Sequence, residues 1–234
     1  MKILIDINHP AHVHYFRSTI KIMSASGHEF VVTSRNKEIE HHLLKSYKIP
    51  FLDRGKGSDN VLGKILYFFK AIHYLHRVIL KFNPDLVVSF GTPYPAIASK
   101  IVMKPHISFY DTEHARMHQL LTNPFSKYII TPSCYKIDHG KNHLRFKGYM
   151  ELCYLHHNYF SPDSSILDML GIQEGEKFVV IRFVSWKATH DVGHKGLTTR
   201  SKINAVRELS HHARVFISSE GELPESLKKY RIII

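Results

Sequence analysis

Two cysteines, Cys134 and Cys153, are all that the 234 residues contain. They are spaced for neither a metal knuckle nor a redox pair and read as reduced thiols of a cytoplasmic protein, which excludes a disulfide scaffold. Acidic residues are scarce as well, 20 against 32 lysines and arginines, and the resulting charge of +12 asks for an anionic partner. The opening residues lack the uninterrupted apolar core and small-residue cleavage site of a signal peptide. A glycine-rich GxGxxG string is missing after the first strand pattern, and so is a Walker loop. Nicotinamide, flavin and P-loop nucleotide binding through those fingerprints are thereby excluded. No RNP or helix-turn-helix pattern occurs, so nucleic acid is not the expected anion. Hydrophobic residues, at 44%, are ample for a packed core.

What the chain does have begins with MKILIDINHPAHVHYF, residues 1–16. Ile3, Leu4, Ile5 and Ile7, grouped around Asp6, predict a strand buried on both faces. Asn8-His9-Pro10 ends it, since proline cannot donate to a ladder, and a helix is predicted over 11–26. Gly27, free of a Cβ, suits a left-handed cap there. The β-branched run at 29–33 completes a βαβ unit whose loop lies at the carboxyl edge of the sheet, where open α/β folds bind ligands. That places Asn8, His9 and His14 as candidates for substrate contact and His12 for acid/base work. His9 sits in the loop, and His12 and His14 are two apart and share no helix face, so no metal site is expected.

Further along, a helix is predicted over 34–47 and a strand over 49–52. Arg54-Gly55-Lys56-Gly57-Ser58 follows as a basic loop, at the same edge if the strand is parallel; it could contact an anionic ligand there, but reads first as solvated. Residues 61–82 form the most unusual helix pattern: Lys70, His73, Arg77 and Lys81 make a narrow basic stripe while most of the remaining surface is aliphatic or aromatic, with no acidic residue. It is too interrupted by cations to span a bilayer; it reads either as a buried helix with a cationic edge or as a rim that touches an anionic membrane. Strands at 86–90 and 106–110 bracket a helix at 94–102. The second of these strands delivers Asp111-Thr112-Glu113-His114 to the carboxyl edge. Two carboxylates and an imidazole so close suit general acid/base chemistry. The same residues also suit a helix N-terminus, with Asp111 or Thr112 as cap and Glu113 in the first turn.

A strand at 128–130 and a change to Ser, Pro, Asp and Gly between 160 and 175 lead to a domain reading of 1–160, a linker over 161–176, and a second domain from 177 to 234. The second domain opens with a strand at 177–183, a helix at 199–212 and a strand at 215–218, and closes on an apolar run at 230–234. A sheet cannot close on so little, so this domain is read as incomplete. Its first loop, within IRFVSWKATHDVGHKGL, gathers Arg182, Lys187, His190, Asp191, His194 and Lys195 between a strand and a helix, where backbone donors already favour an anion. Arg182 and Lys195 are candidates for phosphate, Gly196 lets the backbone come close, and Asp191 can fix the tautomer of His190. The histidine pairs at 41/42, 156/157 and 211/212 read as solvated.

KILIDINHPAHVHYF, SGHEFVVTSR, YDTEHA and above all RFVSWKATHDVGHKG resemble the family known as domain of unknown function 354, grouped with glycosyltransferase-B-fold proteins, along the whole chain. The resemblance implies an α/β protein of two Rossmann-like domains facing a cleft, the second of them incomplete here, with an acceptor on the first and a nucleotide sugar held mainly by the second. It is similar in plan to lipid-linked N-acetylglucosaminyl transferases and to UDP-N-acetylglucosamine 2-epimerases. The expected activity is metal-independent transfer from a nucleotide-diphosphate sugar, a UDP-sugar in the first instance, with no tightly bound cofactor and a glycan or lipid-linked acceptor. Arg182, Lys195 and a helix N-terminus would stabilise the diphosphate, with Ser185, Lys187, His190, Asp191 and Gly196 around it. His12 or Asp111 would take the acceptor proton, supported by Glu113 and His114. Two other readings stand beside it. One is an epimerase in which Asp111, Glu113 and His190 move protons on the donor sugar. The other is a non-catalytic protein of anionic membranes or nucleic acid. The expected location is cytoplasmic, at the inner face of the membrane if residues 61–82 touch lipid.

Overall fold

The computed structural model describes residues 1–36, 39–58, 60–184 and 196–232. They divide into two units, Met1–Ser161 and Pro162–Ile234. In chain order the first unit holds β1 (Lys2–Ile7), α1 (Pro10–Ala25), β2 (Glu29–Ser34), α2 (Glu40–Ser46), β3 (Leu52–Asp53), α3 (Val61–Phe82), β4 (Leu86–Phe90), α4 (Pro93–Ile101), β5 (His106–Phe109), α5 (Arg116–Thr122), β6 (Tyr128–Pro132), β7 (His143–Phe146) and α6 (Leu152–Leu155).

Seven strands pair in the order β3-β2-β1-β4-β5-β6-β7, all parallel. β1 lies at the centre of the reversal. The chain works outward from β1 to β3 on one side, then returns through α3 to β4 on the other, which makes the carboxyl ends of β1 and β4 the topological switch point. The alternation of β1 explains why both of its faces had to be apolar. Ile3, Ile5 and Ile7 pack with Val13 and Phe16 of α1, whereas Leu4 packs on the opposite face with Leu75 and Ile79 of α3 and Ala98 of α4. Asp6 shares the parity of Leu4 and is fully buried on the α3 side.

The helices start and stop where their side chains dictate. His9 caps α1, its Nδ1 accepting from the Ala11 N–H at 3.2 Å, and Pro10 opens the helix. The side chain of Asn60 accepts from the Gly63 N–H to cap α3, and Asn83, left-handed at φ 52°, closes it. Gly91, at φ 58° between β4 and α4, sits so near Tyr110 that a Cβ there would lie 2.8 Å from the ring. Only glycine fits that turn. His106, inside β5, is buried between two serines: its Nδ1 and Nε2 lie 2.9 Å from Ser126 Oγ and Ser89 Oγ. Ser126 donates to the Thr122 carbonyl, so its oxygen is left to accept from His106 Nδ1–H, and Nε2 accepts from Ser89. Burial holds this imidazole neutral and pulls its pKa down to about 3.

The second unit carries α7 (Ser165–Met169), β8 (Phe178–Phe183), α8 (Thr199–Ser210) and β9 (Arg214–Ser219). β8 and β9 pair in parallel over six residues, and Phe183, Val206, Val215, Ile217, Leu223 and Leu227 make its core. Residues 162–176, read from composition as a linker, fold with this unit. Ile172 is buried, and Arg214 at the start of β9 pairs with Glu176 at 3.7 Å. Of the histidine pairs read as solvated, His41 and His156 differ: both are partly buried, the His41 ring centroid 4.5 Å from that of Phe51 and the His156 ring stacked on His157 at 4.3 Å.

Candidate functional site

Two groups of polar side chains meet at the switch-point edge of the first unit, one on each face of the sheet. On the α3 side, Asp6 accepts hydrogen bonds from Thr33 Oγ1 (2.7 Å), Asn8 Nδ2 (2.6 Å) and both arms of Arg54 (Nε 3.2 Å, Nη2 3.3 Å). Arg54 also donates to Tyr67 Oη at 2.8 Å and to the side-chain oxygen of Asn8, and its guanidinium lies 5.1 Å from the Tyr94 ring centroid. Both charged side chains are fully buried. The reading of Arg54 as part of a solvated loop is therefore corrected: the residue directly after β3 turns inward, because Gly55 at φ 80° lets the chain leave while the guanidinium stays under α3. Asn8 then bridges to Thr92 Oγ1 at 3.2 Å, which ties the end of β1 to the start of α4.

On the α1 side, His12 is buried. Its ring lies 4.8 Å from Phe90 and 6.4 Å from Tyr15, centroid to centroid, and its Nδ1 accepts the Asn8 N–H at 3.4 Å. Burial first, and His9 second, pull its pKa down to about 3, so it is a neutral imidazole with the proton on Nε2. Tyr15 Oη donates to Asp111 Oδ2 at 3.2 Å, and Asp111 Oδ1 accepts from the Thr112 hydroxyl at 2.8 Å. Burial and the neighbouring carboxylate raise the Tyr15 pKa, which keeps the phenol protonated as a donor. Tyr154 of α6 stacks over Tyr15 with centroids 6.1 Å apart. Asp111 is partly exposed, with Tyr15 holding one of its carboxylate oxygens and Thr112 the other.

The helix-cap reading of residues 111–113 is not what the chain does. α5 begins only at Arg116, and Ala115 occupies the cap position. Glu113 instead reaches the β6–β7 connection, where it accepts the Lys136 N–H at 3.1 Å; that bond holds its carboxyl below the usual range. His114 is exposed, and His14 turns toward Tyr47, its Nδ1 3.3 Å from the hydroxyl. Of the residues singled out in the sequence, Asn8, His9, His12 and Asp111 therefore come together; His14 reaches the edge of the group through Tyr154, ring centroids 5.5 Å apart, while Glu113 and His114 do not join it. Tyr15 and Tyr154 were missed. The i,i+3 step from His12 to Tyr15 on one helix was the available signal. Beside α5 a cavity of about 530 Å³ is lined by Arg116, Gln119, Asn123 and His139 among others. Its polar wall is already paired, Gln119 donating to Tyr135 at 2.9 Å and Tyr110 to Asn123 at 2.8 Å.

In the second unit Arg182, the penultimate residue of β8, donates to Glu220 Oε1 at 2.8 Å and remains largely exposed. With Phe183, Val184, Leu197 and Lys202 it lines a cavity of about 150 Å³ beside the start of α8, which Thr198 caps through the Ser201 N–H. Lys202, not singled out in the sequence, lies 4.9 Å from the Phe183 ring centroid. Gly196 is partly buried; Ser185, Lys187, His190, Asp191, His194 and Lys195 lie outside the described residues.

A parallel sheet in this order, followed by a second unit in which β8, α8 and β9 repeat the strand-helix-strand sequence, is an α/β plan that fits the glycosyltransferase-B type of fold. The solved structures agree. UDP-GlcNAc 2-epimerase from Neisseria meningitidis, bound to UDP-GlcNAc, superposes with a TM-score of 0.68 at 14% identity, over 98% of this chain and 68% of that one. The UDP-GlcNAc 2-epimerase from Methanocaldococcus jannaschii gives 0.67 at 15% identity with the same coverage. MurG from Acinetobacter baumannii gives 0.57 at 15%, over 94% and 60%. The chain belongs to the family described as protein of unknown function (DUF354), which it matches over residues 1–233. An uncharacterized protein of M. jannaschii is 26% identical over 191 residues, 78% of this chain; the chain spans 56% of that relative's length.

Proposed function

We propose that this chain belongs to a sugar-nucleotide enzyme that transfers a glycosyl group from a nucleotide-diphosphate sugar, without a metal, to an acceptor hydroxyl. The observation that supports this reading is the partly exposed Asp111 carboxylate, oriented by the protonated Tyr15 on one oxygen and by the Thr112 hydroxyl on the other, at the carboxyl edge of a Rossmann-type sheet. A carboxylate so held is oriented to take a proton from a hydroxyl. His12 is the weaker base: its ring is neutral throughout the working range, and the Asn8 N–H occupies its unprotonated nitrogen. Its role is to pack beneath the site and, through Nε2–H, to donate. In the second unit, Arg182 and Lys202 beside the α8 N-terminus would neutralise the departing diphosphate in place of a metal, joined by Lys195 and the backbone at Gly196.

The fold of UDP-GlcNAc 2-epimerases supports a second reading, in which Asp111 moves a proton on the donor sugar itself and no acceptor is needed. Incubation with UDP-GlcNAc, with and without an acceptor mixture, separates the two: epimer formed without acceptor selects the second. In either reaction Asp111→Asn is expected to lower turnover by about 10²–10⁴-fold, the range for a lost acid/base group, with a smaller loss in Tyr15→Phe. Turnover at the parent rate in Asp111→Asn would remove the assignment.

A further inference from the structure

The outer face of α3 is divided along its length. Toward the sheet, Tyr67, Ala71, Leu75 and Ile79 recur every four residues and are buried. On the opposite side of the first three turns, Val61, Leu62, Ile65, Leu66 and Phe69 are each between 50% and 74% exposed, one contiguous apolar face of about 12 Å at 1.5 Å per residue. Directly after it the exposed side turns cationic: Lys70, His73, Arg77 and Lys81 are all exposed, and Lys64 flanks the apolar part. The helix contains no acidic residue; Asp59 and Asp85 stand outside its two ends. Since α3 follows β3 in a parallel sheet, its apolar half lies at the carboxyl edge, beside the switch point.

We propose that this face docks on an anionic lipid bilayer, the apolar residues of the first turns entering the acyl boundary and Lys70, Arg77 and Lys81 lying against the headgroups. The arrangement is that of an interfacial helix, with apolar insertion and cationic attraction supplied side by side. No helix among the described residues is long and apolar enough to cross a membrane, so the contact is peripheral. A second copy of the chain fits the face poorly. A twofold interface with the helices side by side in one sense would set the cations of one α3 against those of the other, and an antiparallel one over the apolar turns would leave them beyond the contact, with no acid on either helix to pair them. The inference is independent of the enzymatic reading.

Vesicle flotation tests it. The 234-residue chain should float with equimolar phosphatidylcholine–phosphatidylglycerol vesicles, stay behind with pure phosphatidylcholine, and be released as salt is raised. A triple variant Leu62→Ser, Leu66→Ser, Phe69→Ser should bind at least about tenfold more weakly, and so should Lys70→Glu with Arg77→Glu, whose exposed positions leave folding intact. Circular dichroism like that of the parent certifies each variant. Failure of the folded parent to float, equal binding to neutral vesicles, or parent-like binding by the charge-reversed variant would overturn the proposal. So would a dimer in sedimentation velocity that Leu66→Ser dissolves, since that would assign the face to a second copy.

Discussion

Replacing Asp6 by alanine is expected to lower the unfolding free energy of the first unit by about 3–5 kcal/mol, the range for removing one partner of a buried ion pair. The loss is large because of what stays behind. Arg54 would keep its charge under α3 with only Tyr67 and Asn8 to receive its five N–H groups, and Thr33 Oγ1 and Asn8 Nδ2 would each lose an acceptor. The double variant Asp6→Ala, Arg54→Met removes both charges and should recover most of the stability, since a buried pair replaced by apolar groups of similar volume is often near neutral. Urea unfolding followed by circular dichroism on the parent, both single variants and the double completes the cycle. A single-variant loss below about 1 kcal/mol would mean that the pair is solvated, as a surface bridge is. The network also sets the β1–α1 turn, because Asn8 contacts Asp6 through its side chain and His12 through its backbone.

Acid should destabilise the first unit well above the carboxylate range. His12 and His106 are held neutral by burial, with folded pKa values of about 3 against the ordinary 6.5. Between those values the unfolded chain binds a proton at each position that the folded chain does not. Stability therefore falls as pH drops below 6.5, by about 1.4 kcal/mol per pH unit for each histidine, and levels only near 3. Stability is complete above 6.5. Unfolding midpoints in urea between pH 7 and pH 4 give the slope. His106→Asn removes one of the two protons and should halve this part of the slope, whatever it does to stability at pH 7. An unchanged slope in that variant would show that His106 is protonated in the folded state.

Much of this architecture is legible locally. The strand at the start of β1, its stop at Asn8-His9-Pro10, the cap residue Gly27, the full length of α3 and the β8–α8–β9 sequence all follow from apolar runs bounded by proline, glycine and asparagine. The resemblance carried by KILIDINHPAHVHYF and RFVSWKATHDVGHKG agrees with the match to DUF354 over residues 1–233. What escaped local reading is long-range. Asp6 and Arg54 are 48 positions apart. An arginine between Asp53 and Gly55 looks like loop chemistry until β3 pairs with β2 and aims it at the centre of the sheet. Likewise, Asp111 is an adequate helix cap by composition, but Tyr15, 96 positions earlier, claims its carboxylate, and α5 starts later. His12 looked like a base because of its place at the edge; Phe90, arriving from β4, covers it.

The reading of the chain as part of a sugar-nucleotide enzyme is tested most directly by calorimetric titration of UDP, GDP and CMP into the chain and into its Arg182→Ala form. The expected result is saturable binding of UDP that weakens when Arg182 is lost, its guanidinium exchanging Glu220 for a phosphate. No saturable heat with any of the three nucleotides, or UDP binding indifferent to Arg182→Ala, would contradict it.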